Sequence, residues 1–416
     1  MMLKTDKIVR RYTEIIREPR HHALRSHKLK VGYPKRIVIS GVELEVLPGE
    51  FIAVIGPNAS GKSTLLKTLA GLLKPLGGVV YLDGREITRW RPRELATKLG
   101  VVLTERVNPG LMTAFEVVAL GRYSYTGALA RLTRRDKEIV LKALESVEAQ
   151  HLANRRFNEL SDGEKQKIMV ARALAQEPQI IILDEPTTHL DARNKIEILL
   201  LLRRLAREKT ITVIVSLHEV ELSLRLADKL VIVRDGRAEV FNNPEEFIIE
   251  TGVETLYLMN DRVSFDHISY TVEVHDEPKR GTPVFVIAGA GKGALVYRLL
   301  KRLGYVIRTG ILHENDIDYH VAAKLRADII SEKPYQPITE NTYLKALHAA
   351  TSANIIIDAS PPIGLLNSKN LELVKELRRR QKRIVKIIEE DDSPRDYDEV
   401  CCTLAMLPRI LEELIR

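Results

Sequence analysis

The sequence contains little of several features that define other protein classes. Only 2 of its 416 residues are cysteine. They are the neighbours Cys401 and Cys402, which rarely bridge, so a disulfide framework is excluded and a reducing compartment is favoured. No apolar run reaches the roughly 18 residues that a membrane-spanning helix needs, and the N-terminus lacks the apolar core of a signal peptide. A role at a membrane would therefore require a separate spanning chain.

Composition and length indicate a folded chain with more than one hydrophobic core. Apolar residues make up 45% of the sequence and charged residues 29%, a balance that excludes a disordered chain. A length of 416 residues exceeds what one core usually serves, so two domains are expected. The formal net charge of +8 fits a solvated basic surface and also an attraction to nucleotide, nucleic acid or anionic lipid, so charge alone does not select a partner.

The basic surplus is concentrated at the N-terminus, where residues 1–30 carry 9 Lys and Arg against 3 Asp and Glu. We predict that these residues form an extension outside the first domain. Ile8, Tyr12, Ile15 and Ile16 fall near helical spacing, which favours a short amphipathic helix packed on the body of the protein. An arm that binds a membrane or nucleic acid is the alternative.

Residues 31–262 are predicted to form an α/β domain. Its short apolar runs are apolar at every position, as in parallel strands covered on both faces. These runs are Phe51–Ile55, Ile180–Leu183, Thr212–Val215 and Leu230–Val233. Between the first two, residues 136–176 repeat Leu, Val and Ala at three-to-four spacing, which indicates a helical subdomain.

A second, smaller domain is predicted over residues 282–416, after a linker at 263–281 in which Val263 to Val274 alternate like a strand. Strands and helices alternate again in this region, the order that produces a doubly wound, Rossmann-like sheet. Its predicted elements are the strands Val284–Ala288, Tyr305–Arg308, Ile355–Asp358 and Ile384–Ile388 and the helix Leu371–Arg380. The whole chain is therefore predicted to be α/β.

A phosphate-binding loop is predicted where the first apolar strand ends. The pattern G-x-x-x-x-G-K-[ST], between this strand and the helical run Leu65–Leu73, is matched by Gly56, Pro57, Asn58, Ala59, Ser60, Gly61, Lys62, Ser63 and Thr64. Glycines allow consecutive backbone N–H groups to curl around phosphate oxygens, and the start of the helix adds positive potential. Lys62 is expected to reach the β- and γ-phosphates of a nucleotide, and Ser63 to ligate Mg²⁺.

Two carboxylates follow the second apolar strand. Asp184 is well placed to hold Mg²⁺ through water, and Glu185 to polarise a water that attacks the phosphate. Carboxylates at a strand end can instead cap a helix, but the phosphate loop upstream favours the catalytic interpretation.

The segment Leu160, Ser161, Asp162, Gly163 and Glu164 opens a predicted helix. Ser161 followed by Glu164 is by itself a capping box. With the phosphate loop before it and the acidic pair after it, however, the chain resembles the ATP-binding-cassette (ABC) ATPases, whose fold is that of a P-loop NTPase with a helical subdomain. The resemblance implies that this signature segment of one subunit closes over ATP held by another, although Asp162 and Glu164 depart from its commonest form.

The same resemblance implies roles for further residues. Asp191 matches the D-loop, His218 the switch histidine that contacts the γ-phosphate, and Tyr33 the aromatic residue that stacks on adenine. The family usually has Gln after the strand corresponding to residues 101–103, where this chain has Thr104 followed by Glu105. We expect either Glu105 or a water to replace the glutamine amide.

A finer resemblance is carried by residues 113–127, TAFEVVALGRYSYTG. They are similar to ATPases that power import of iron–siderophore complexes, haem and cobalamin, in which this region faces the coupling helix of the membrane subunit. The resemblance implies a homodimer that binds ATP and Mg²⁺ as a peripheral protein on the cytoplasmic face of the membrane. Its partners would be membrane-spanning permease subunits and a substrate-binding protein, and nucleic acid is not expected.

Other functions are compatible with the same motifs. A soluble ABC ATPase acting as a nucleotide-gated switch on nucleic acid or ribosomes typically has two cassettes, coiled coils or zinc modules, which this sequence lacks. A non-hydrolytic regulator is compatible with Thr104 at the glutamine position but is disfavoured by Glu185. An exporter is also possible, but exporters often carry fused membrane-spanning segments, which this sequence lacks.

The second domain contains its own glycine-rich turn, Gly289 to Gly293, between a strand and a helix. This turn predicts either a phosphate or nucleotide site or an ordinary tight connection. Some archaeal ATPases of the cobalamin-import type have a similar appended domain, which suggests regulation or cofactor sensing.

Overall fold

The computed structural model describes residues 22–104, 109–126, 131–253, 263–266, 270–274, 280–388 and 400–415. It divides the chain into two units, Met1–Leu258 and Met259–Arg416. Within the described ranges, no helix combines the length and the apolar composition needed to cross a membrane.

The first unit contains two β-sheets. Its strands are β1 (Leu24–Tyr33), β2 (Arg36–Val46), β3 (Phe51–Ile55), β4 (Gly77–Leu82), β5 (Arg85–Glu86), β6 (Leu99–Val102), β7 (Ile180–Leu183), β8 (Thr212–Ser216), β9 (Lys229–Arg234) and β10 (Arg237–Phe241). An antiparallel sheet has the order β2-β1-β4-β5. A second sheet has the order β10-β9-β3-β8-β7-β6, and all of its neighbours are parallel except β10 and β9.

Helices connect these strands and form the predicted helical subdomain. They are α1 (Lys62–Leu69), α2 (Pro92–Lys98), α3 (Ala114–Ala119), α4 (Arg134–Ser146), α5 (Asp162–Leu174), α6 (Ala192–Lys209), α7 (Val220–Leu226) and α8 (Pro244–Glu250). Short 3₁₀ segments cover Ile87–Arg89, Leu120–Ser124, Gln150–Leu152 and Phe157–Glu159. Helices α3, α4 and α5 pack against one another between β6 and β7 in the chain.

The core of the first unit explains its apolar strands. β3, β7 and β8 are buried along their whole length, as predicted for parallel strands covered on both faces. Leu65, Leu66 and Leu69 of α1 join both sheets in one hydrophobic cluster. Because the carboxyl ends of β3, β7 and β8 lie at one edge of the sheet, the loops that follow them meet there.

The start of the first unit differs from the prediction. Residues 24–30 belong to β1, which pairs with β2 and β4, so an extension reaching residue 30 is wrong. Buried Leu24, Leu29 and Val31 alternate with exposed basic residues, so a strand with one solvated face explains the local charge. The predicted amphipathic helix falls on residues outside the described ranges.

The second unit contains a hairpin and a parallel sheet. Its strands are β11 (Val263–Asp266), β12 (Thr271–Val274), β13 (Arg280–Ile287), β14 (Tyr305–His313), β15 (Asp328–Glu332), β16 (Ile355–Asp358), β17 (Ile384–Ile387) and β18 (Val400–Cys402). Its helices are α9 (Ala294–Arg302), α10 (Ile317–Lys324), α11 (Glu340–Ser352), α12 (Ser368–Arg379) and α13 (Leu407–Ile415).

The parallel sheet has the order β15-β14-β13-β16-β17-β18. One face is covered by α9, α10 and α13, and the other by α11 and α12, each with its own hydrophobic cluster. This order, with helices on both faces, is that of a doubly wound sheet, which places a crevice at the carboxyl ends of β13 and β16.

The prediction of a linker at 263–281 is wrong for much of its length, because its described residues form strands of the second unit. β11 and β12 pair as an antiparallel hairpin. Arg298 forms an ion pair with Glu273 at 2.6 Å, and Lys324 Nζ donates to Phe265 O at 3.1 Å. β13 then begins at Arg280, two residues before the predicted start of the second domain.

Candidate functional site

The predicted phosphate loop connects β3 to α1 and is closed by close packing of its glycines. A Cβ atom on Gly56 would lie 2.1 Å from Val233 O, and one on Gly61 would lie 2.6 Å from Val38 Cγ1. Gly61 also has φ of 110°, a left-handed conformation that favours glycine. All nine candidate residues, 56–64, therefore lie in one tight turn and the first residues of α1.

Lys62 lies folded against this loop. Its Nζ donates to Gly56 O at 2.9 Å and to Pro57 O at 3.1 Å, and the residue is buried. Burial lowers the pKa of the ammonium, and the charges of Glu185 and Asp184 partly oppose that effect. A cation held by two carbonyls is poised to exchange them for the oxygens of a phosphate.

The hydroxyl of Ser60 provides a structural test of the predicted anion site. Among the described residues, its Oγ atom is buried without a hydrogen-bond partner. A buried hydroxyl without a partner is costly, and a phosphate oxygen would satisfy it. The loop therefore fits a nucleotide phosphate on a structural observation as well as on its sequence.

Glu185 and His218 meet at the same edge of the sheet. Glu185 follows β7 and Asp184, and His218 follows β8, where its Nε2 lies 2.8 Å from Glu185 Oε1. Thr188 Oγ1 donates to the other carboxylate oxygen of Glu185 at 3.4 Å. The acidic residue predicted to polarise water and the predicted switch histidine are thus in direct contact.

Thr104, at the expected glutamine position, forms a hydrogen bond with a backbone carbonyl. Its Oγ1 donates to Asp184 O at 3.0 Å. The hydroxyl therefore steadies the segment that carries Asp184. Glu105, the other residue predicted to replace the glutamine amide, lies outside the described residues.

The signature segment begins α5. Ser161 is the N-cap, its Oγ accepts from Glu164 N, and Glu164 Oε2 accepts from Ser161 N at 2.8 Å, so the predicted capping box is formed. The hydrogen bond from the Ser161 backbone, with further contributions from its side chain, lowers the pKa of Glu164. Leu160 is buried and Asp162 is exposed.

Gly163 is required by close contact with α6. A Cβ atom there would lie 2.8 Å from Asn194 Oδ1. Asn194 in turn donates from its backbone to Asp191 Oδ1 at 2.8 Å and from its side chain to Asp191 Oδ2 at 3.0 Å. Asp191, the predicted D-loop residue, is therefore the N-cap of α6 and lies beside the start of α5.

A cavity of about 290 Å³ separates the signature helix from the Asp184–Glu185 segment. Asp162, Lys165 and Gln166 lie on one side, and Thr104 and Glu185 on the other. The cavity lies where the shorter Thr104 replaces a glutamine. The structure thus brings the predicted signature segment close to Asp184 and Glu185 within one chain.

The segment 113–126 holds a buried arginine. Arg122 Nε donates to Asp136 Oδ1 at 2.9 Å, and its Nη1 donates to Ala175 O and to Glu177 Oε2. The guanidinium also lies 3.8 Å from the ring centre of Tyr125. These contacts fasten the 3₁₀ segment Leu120–Ser124 to the end of α5.

Apolar side chains of the same region are exposed. Leu111 is 78% exposed and Tyr123 is 73% exposed, and Leu120 and Tyr125 are also exposed. Tyr33 at the end of β1 is 47% exposed. It precedes the tight β1–β2 turn, while Val38 and Ile39 of β2 pack on Gly61 of the phosphate loop.

The glycine-rich turn of the second unit is occupied by its own carboxylates. Ala290 N donates to Asp316 at 2.9 Å, and Gly293 N donates to Asp318 Oδ2 at 2.9 Å. Asp318 is fully buried, and burial raises the pKa of its carboxyl group. The amides of Ala290 and Gly293 are already paired with carboxylates, whose negative charge would repel a phosphate, so the structure favours the tight connection over the phosphate site.

Two residues of the first site were missed by the sequence analysis. Ser216 is the last residue of β8 and contacts both Asp184 and Glu185, and Asn194 contacts Gly163 and Asp191. A hydroxyl residue directly after the buried apolar run Val213–Val215 was an available signal for Ser216. Asn194 carries no such signal, because its contact depends on how α6 packs against α5.

Oxygen ligands for a divalent cation are available at the first site. Ser63 offers a hydroxyl and Asp184 a carboxylate, the hard donors that Mg²⁺ prefers. Within the described ranges, no group of three or more His, Cys, Asp or Glu could hold a metal ion. A hydroxyl and a carboxylate fit an ion whose remaining ligands are nucleotide phosphates and water.

Comparison with protein families supports the division into two units. Residues 39–188 match a family model described as ABC transporter. Residues 307–410 match a second model, the MJ0874 family.

Curated relatives match over nearly their full length. The ABC transporter ATP-binding protein MJ0873 of Methanocaldococcus jannaschii is 47% identical over 70% of this chain and 99% of its own. The ferric enterobactin transport ATP-binding protein FepC of Escherichia coli is 36% identical over 64% of this chain and 94% of its own. The petrobactin import ATP-binding protein FpuD of Bacillus anthracis is 33% identical over 69% and 99%.

Solved structures show the same cassette. A metal-chelate-type ABC transporter in an inward-facing conformation has a TM-score of 0.52 and 25% identity, covering 61% of this chain and 96% of that chain. The ADP conformation of MJ1267, an ATP-binding cassette of an ABC transporter, has a TM-score of 0.52 and 27% identity, covering 57% and 99%.

Proposed function

We propose that this chain, which belongs to the ATP-binding proteins of ABC transporters, powers the import of an iron–siderophore, haem or cobalamin-type compound by hydrolysing ATP. The observation that supports it most is the juxtaposition of Glu185 and His218, 2.8 Å apart, beside a buried Lys62 on a phosphate loop. An anion-binding loop and a paired carboxylate at one sheet edge are the parts that phosphoryl transfer to water requires.

In this proposal the side chains of the site divide the work of binding and hydrolysis. Backbone amides of residues 56–64, Ser60 Oγ and Lys62 Nζ bind the phosphates. Glu185 accepts the proton of the attacking water, a role worth roughly 10²–10⁴-fold in rate, and His218 orients that carboxylate and contacts the γ-phosphate. Mg²⁺, held by Ser63 and Asp184, would neutralise charge on the phosphate oxygens. Tyr33 stacks on the adenine.

We further propose that two copies assemble with two ATP molecules between them. Ser161 and Gly163 of one copy would close over the phosphate loop of the other, with Asp191 linking the two sites. Ser161 sits at the start of α5, where the helix dipole favours an anion. The γ-phosphate present before hydrolysis and absent after it would then switch the dimer between closed and open states.

Separate membrane permease subunits would receive this motion. The exposed apolar side chains at Leu111, Leu120 and Tyr123 provide a surface for a helix of such a subunit. The names of FepC and FpuD, which refer to ferric enterobactin and petrobactin, support the proposed cargo class. A substrate-binding protein would be a further partner of such an importer. The chain would then be peripheral to the cytoplasmic face of the membrane.

Steady-state ATPase activity of the full chain tests the proposal. Glu185→Gln should lower turnover by at least about 100-fold while ATP binding persists and a dimer accumulates in light scattering. Glu208→Gln, an exposed change on α6, should leave all three properties unchanged. A wild-type chain that does not hydrolyse ATP, or a Glu185→Gln variant as active as wild type, would contradict it.

A further inference from the structure

The hydroxyl of Ser216 contacts both proposed catalytic carboxylate residues. Ser216 is completely buried at the end of β8. Its Oγ donates to Asp184 Oδ1 at 2.7 Å and accepts from Glu185 N at 2.8 Å. One side chain therefore uses its donor on the side chain of Asp184 and its acceptor on the backbone of Glu185.

Asp184 is held from three directions. Its backbone N donates to Val102 O at 2.9 Å, its carbonyl accepts from Thr104 Oγ1 at 3.0 Å, and its Oδ1 accepts from Ser216. These contacts fix the backbone and the rotation of the carboxylate. In the proposed role, the Asp184 carboxylate would hold Mg²⁺ through water, and a hydrogen bond to a ligand side chain orients that ligand and tunes the metal affinity.

Glu185 needs support for its backbone as well. It has φ of 51°, in the left-handed region that costs a non-glycine residue on the order of 1 kcal/mol or more. The hydrogen bond from Glu185 N to Ser216 stabilises that conformation. In this conformation the Glu185 carboxylate reaches His218 at 2.8 Å.

We propose that Ser216 is a positioning residue for ATP hydrolysis that sets both the Mg²⁺ affinity of the nucleotide complex and the orientation of Glu185. The inference rests on the roles proposed above for Asp184 and Glu185. Ser216 touches neither nucleotide nor metal in this scheme. It acts through the two residues that do, joining the end of β8 to the loop after β7.

Ser216→Ala tests this role in the full chain. It should lower kcat by about 10–100-fold and raise the Mg²⁺ concentration for half-maximal activity by about 10-fold. In EDTA, the affinity of the variant for a fluorescent non-hydrolysable ATP analogue should equal that of wild type. In excess Mg²⁺, the increase in affinity that Mg²⁺ causes should be about 10-fold smaller for the variant than for wild type. This binding measurement does not depend on turnover.

Two variants separate positioning from simple destabilisation. Ser216→Thr keeps the hydroxyl on a strand that accepts β-branched residues, and should return both properties to within about threefold of wild type. Ser223→Ala is a matched control, because Ser223 is equally buried and its hydroxyl donates to O of Glu219, the N-cap of its own helix α7. Ser216→Cys keeps the side-chain volume with a weak donor, and should shift both properties in the same direction as Ser216→Ala.

The outcomes distinguish this inference from the function on which it rests. An inactive wild-type chain contradicts the proposed hydrolysis. An active wild type with Ser216→Ala at wild-type kcat and Mg²⁺ dependence overturns the role of Ser216 alone. Equal losses in Ser216→Ala and Ser223→Ala, or no rescue by Ser216→Thr, would also overturn it.

Discussion

Single residues of the phosphate loop are held by neighbours from distant strands. Gly61 has a left-handed backbone conformation, and a Cβ atom on it would lie 2.6 Å from Val38 of β2. Gly84 also has a left-handed conformation, with φ of 74°, but a Cβ atom on it would have no neighbour within 4 Å. The two glycines share the backbone requirement and differ in packing. A comparison of alanine variants at the two positions therefore separates the cost of a left-handed backbone conformation from the cost of a steric clash in the phosphate loop.

Gly61→Ala should lower ATP affinity by at least about 10-fold and destabilise the chain by about 1–3 kcal/mol, because the added methyl group collides with β2. Gly84→Ala should cost about 1 kcal/mol and leave ATP affinity unchanged. Nucleotide titration and urea unfolding measure the two effects. Equal ATP affinities for the two variants would refute the packing argument.

Glu332 in the second unit gives a pH-dependent contribution at the residue scale. Its carboxylate accepts from Thr339 N and Thr339 Oγ1, both at 2.8 Å, and the hydrogen bond from the Thr339 backbone is the largest cause that lowers its pKa to about 2. A lowered folded-state pKa stabilises the protein above the unfolded value near 4.5. That stabilisation is lost as pH falls from there towards about 2.

Glu332→Gln should therefore lower the free energy of unfolding by about 1–3 kcal/mol at neutral pH. The difference from wild type should shrink as the pH is reduced through this range. Denaturant unfolding at several pH values measures it, with the exposed Glu314→Gln as a control that stays near wild type. A difference that is independent of pH would show that the carboxylate charge is not the cause.

At the scale of elements, Arg122 joins three segments of the helical subdomain. It links the 3₁₀ segment Leu120–Ser124 to Asp136 in α4 and to the residues after α5. Its side chain is 4% exposed and that of Asp136 is 9% exposed. Removal of one partner would leave a buried charge without its counter-ion.

Arg122→Met should destabilise the chain by about 3–5 kcal/mol, and adding Asp136→Asn should recover part of that loss. Arg134→Ala removes an exposed pair with Glu138 and should cost no more than about 0.5 kcal/mol. Chemical denaturation measures all three. A loss for Arg122→Met as small as that for Arg134→Ala would mean that the buried network contributes little.

At the scale of the whole molecule, each unit has a glycine-rich turn after a strand, but the polar groups at the two turns differ in their hydrogen-bond partners. The turn at 56–61 contains a buried hydroxyl without a partner among the described residues, Ser60. The turn at 289–293 is filled by the carboxylates of Asp316 and Asp318. The first should therefore bind the nucleotide phosphates of the chain, and the second should not.

Calorimetry of the full chain should find one ATP per chain. Lys62→Ala should weaken that binding by at least about 100-fold, since the loop loses the cation that faces the phosphates. Lys292→Ala, the corresponding change in the second turn, should leave it unchanged. Two ATP molecules per chain, or a loss of binding in Lys292→Ala, would contradict this assignment.

The local motifs of the first unit could be predicted from the sequence because each is a contiguous segment. The strand, turn and helix around residues 51–73, the capping box at Ser161 and Glu164, and the fully apolar strands depend on neighbours in the chain. The first residues of β1 were mistaken for an extension, since the basic side chains of its solvated face concealed the alternation. β15 was not predicted because its five residues, DIISE, contain one short apolar pair.

The sequence by itself determined the residue types of the site and the order in which they occur, since phosphate binding requires glycines and a lysine at fixed spacing. The tertiary structure decided which of these residues touch. The contact between Glu185 and His218, the double role of Ser216, and the filling of the second turn by Asp316 and Asp318 all join segments from different strands. Such contacts depend on sheet order and helix packing, so no spacing along the chain records them.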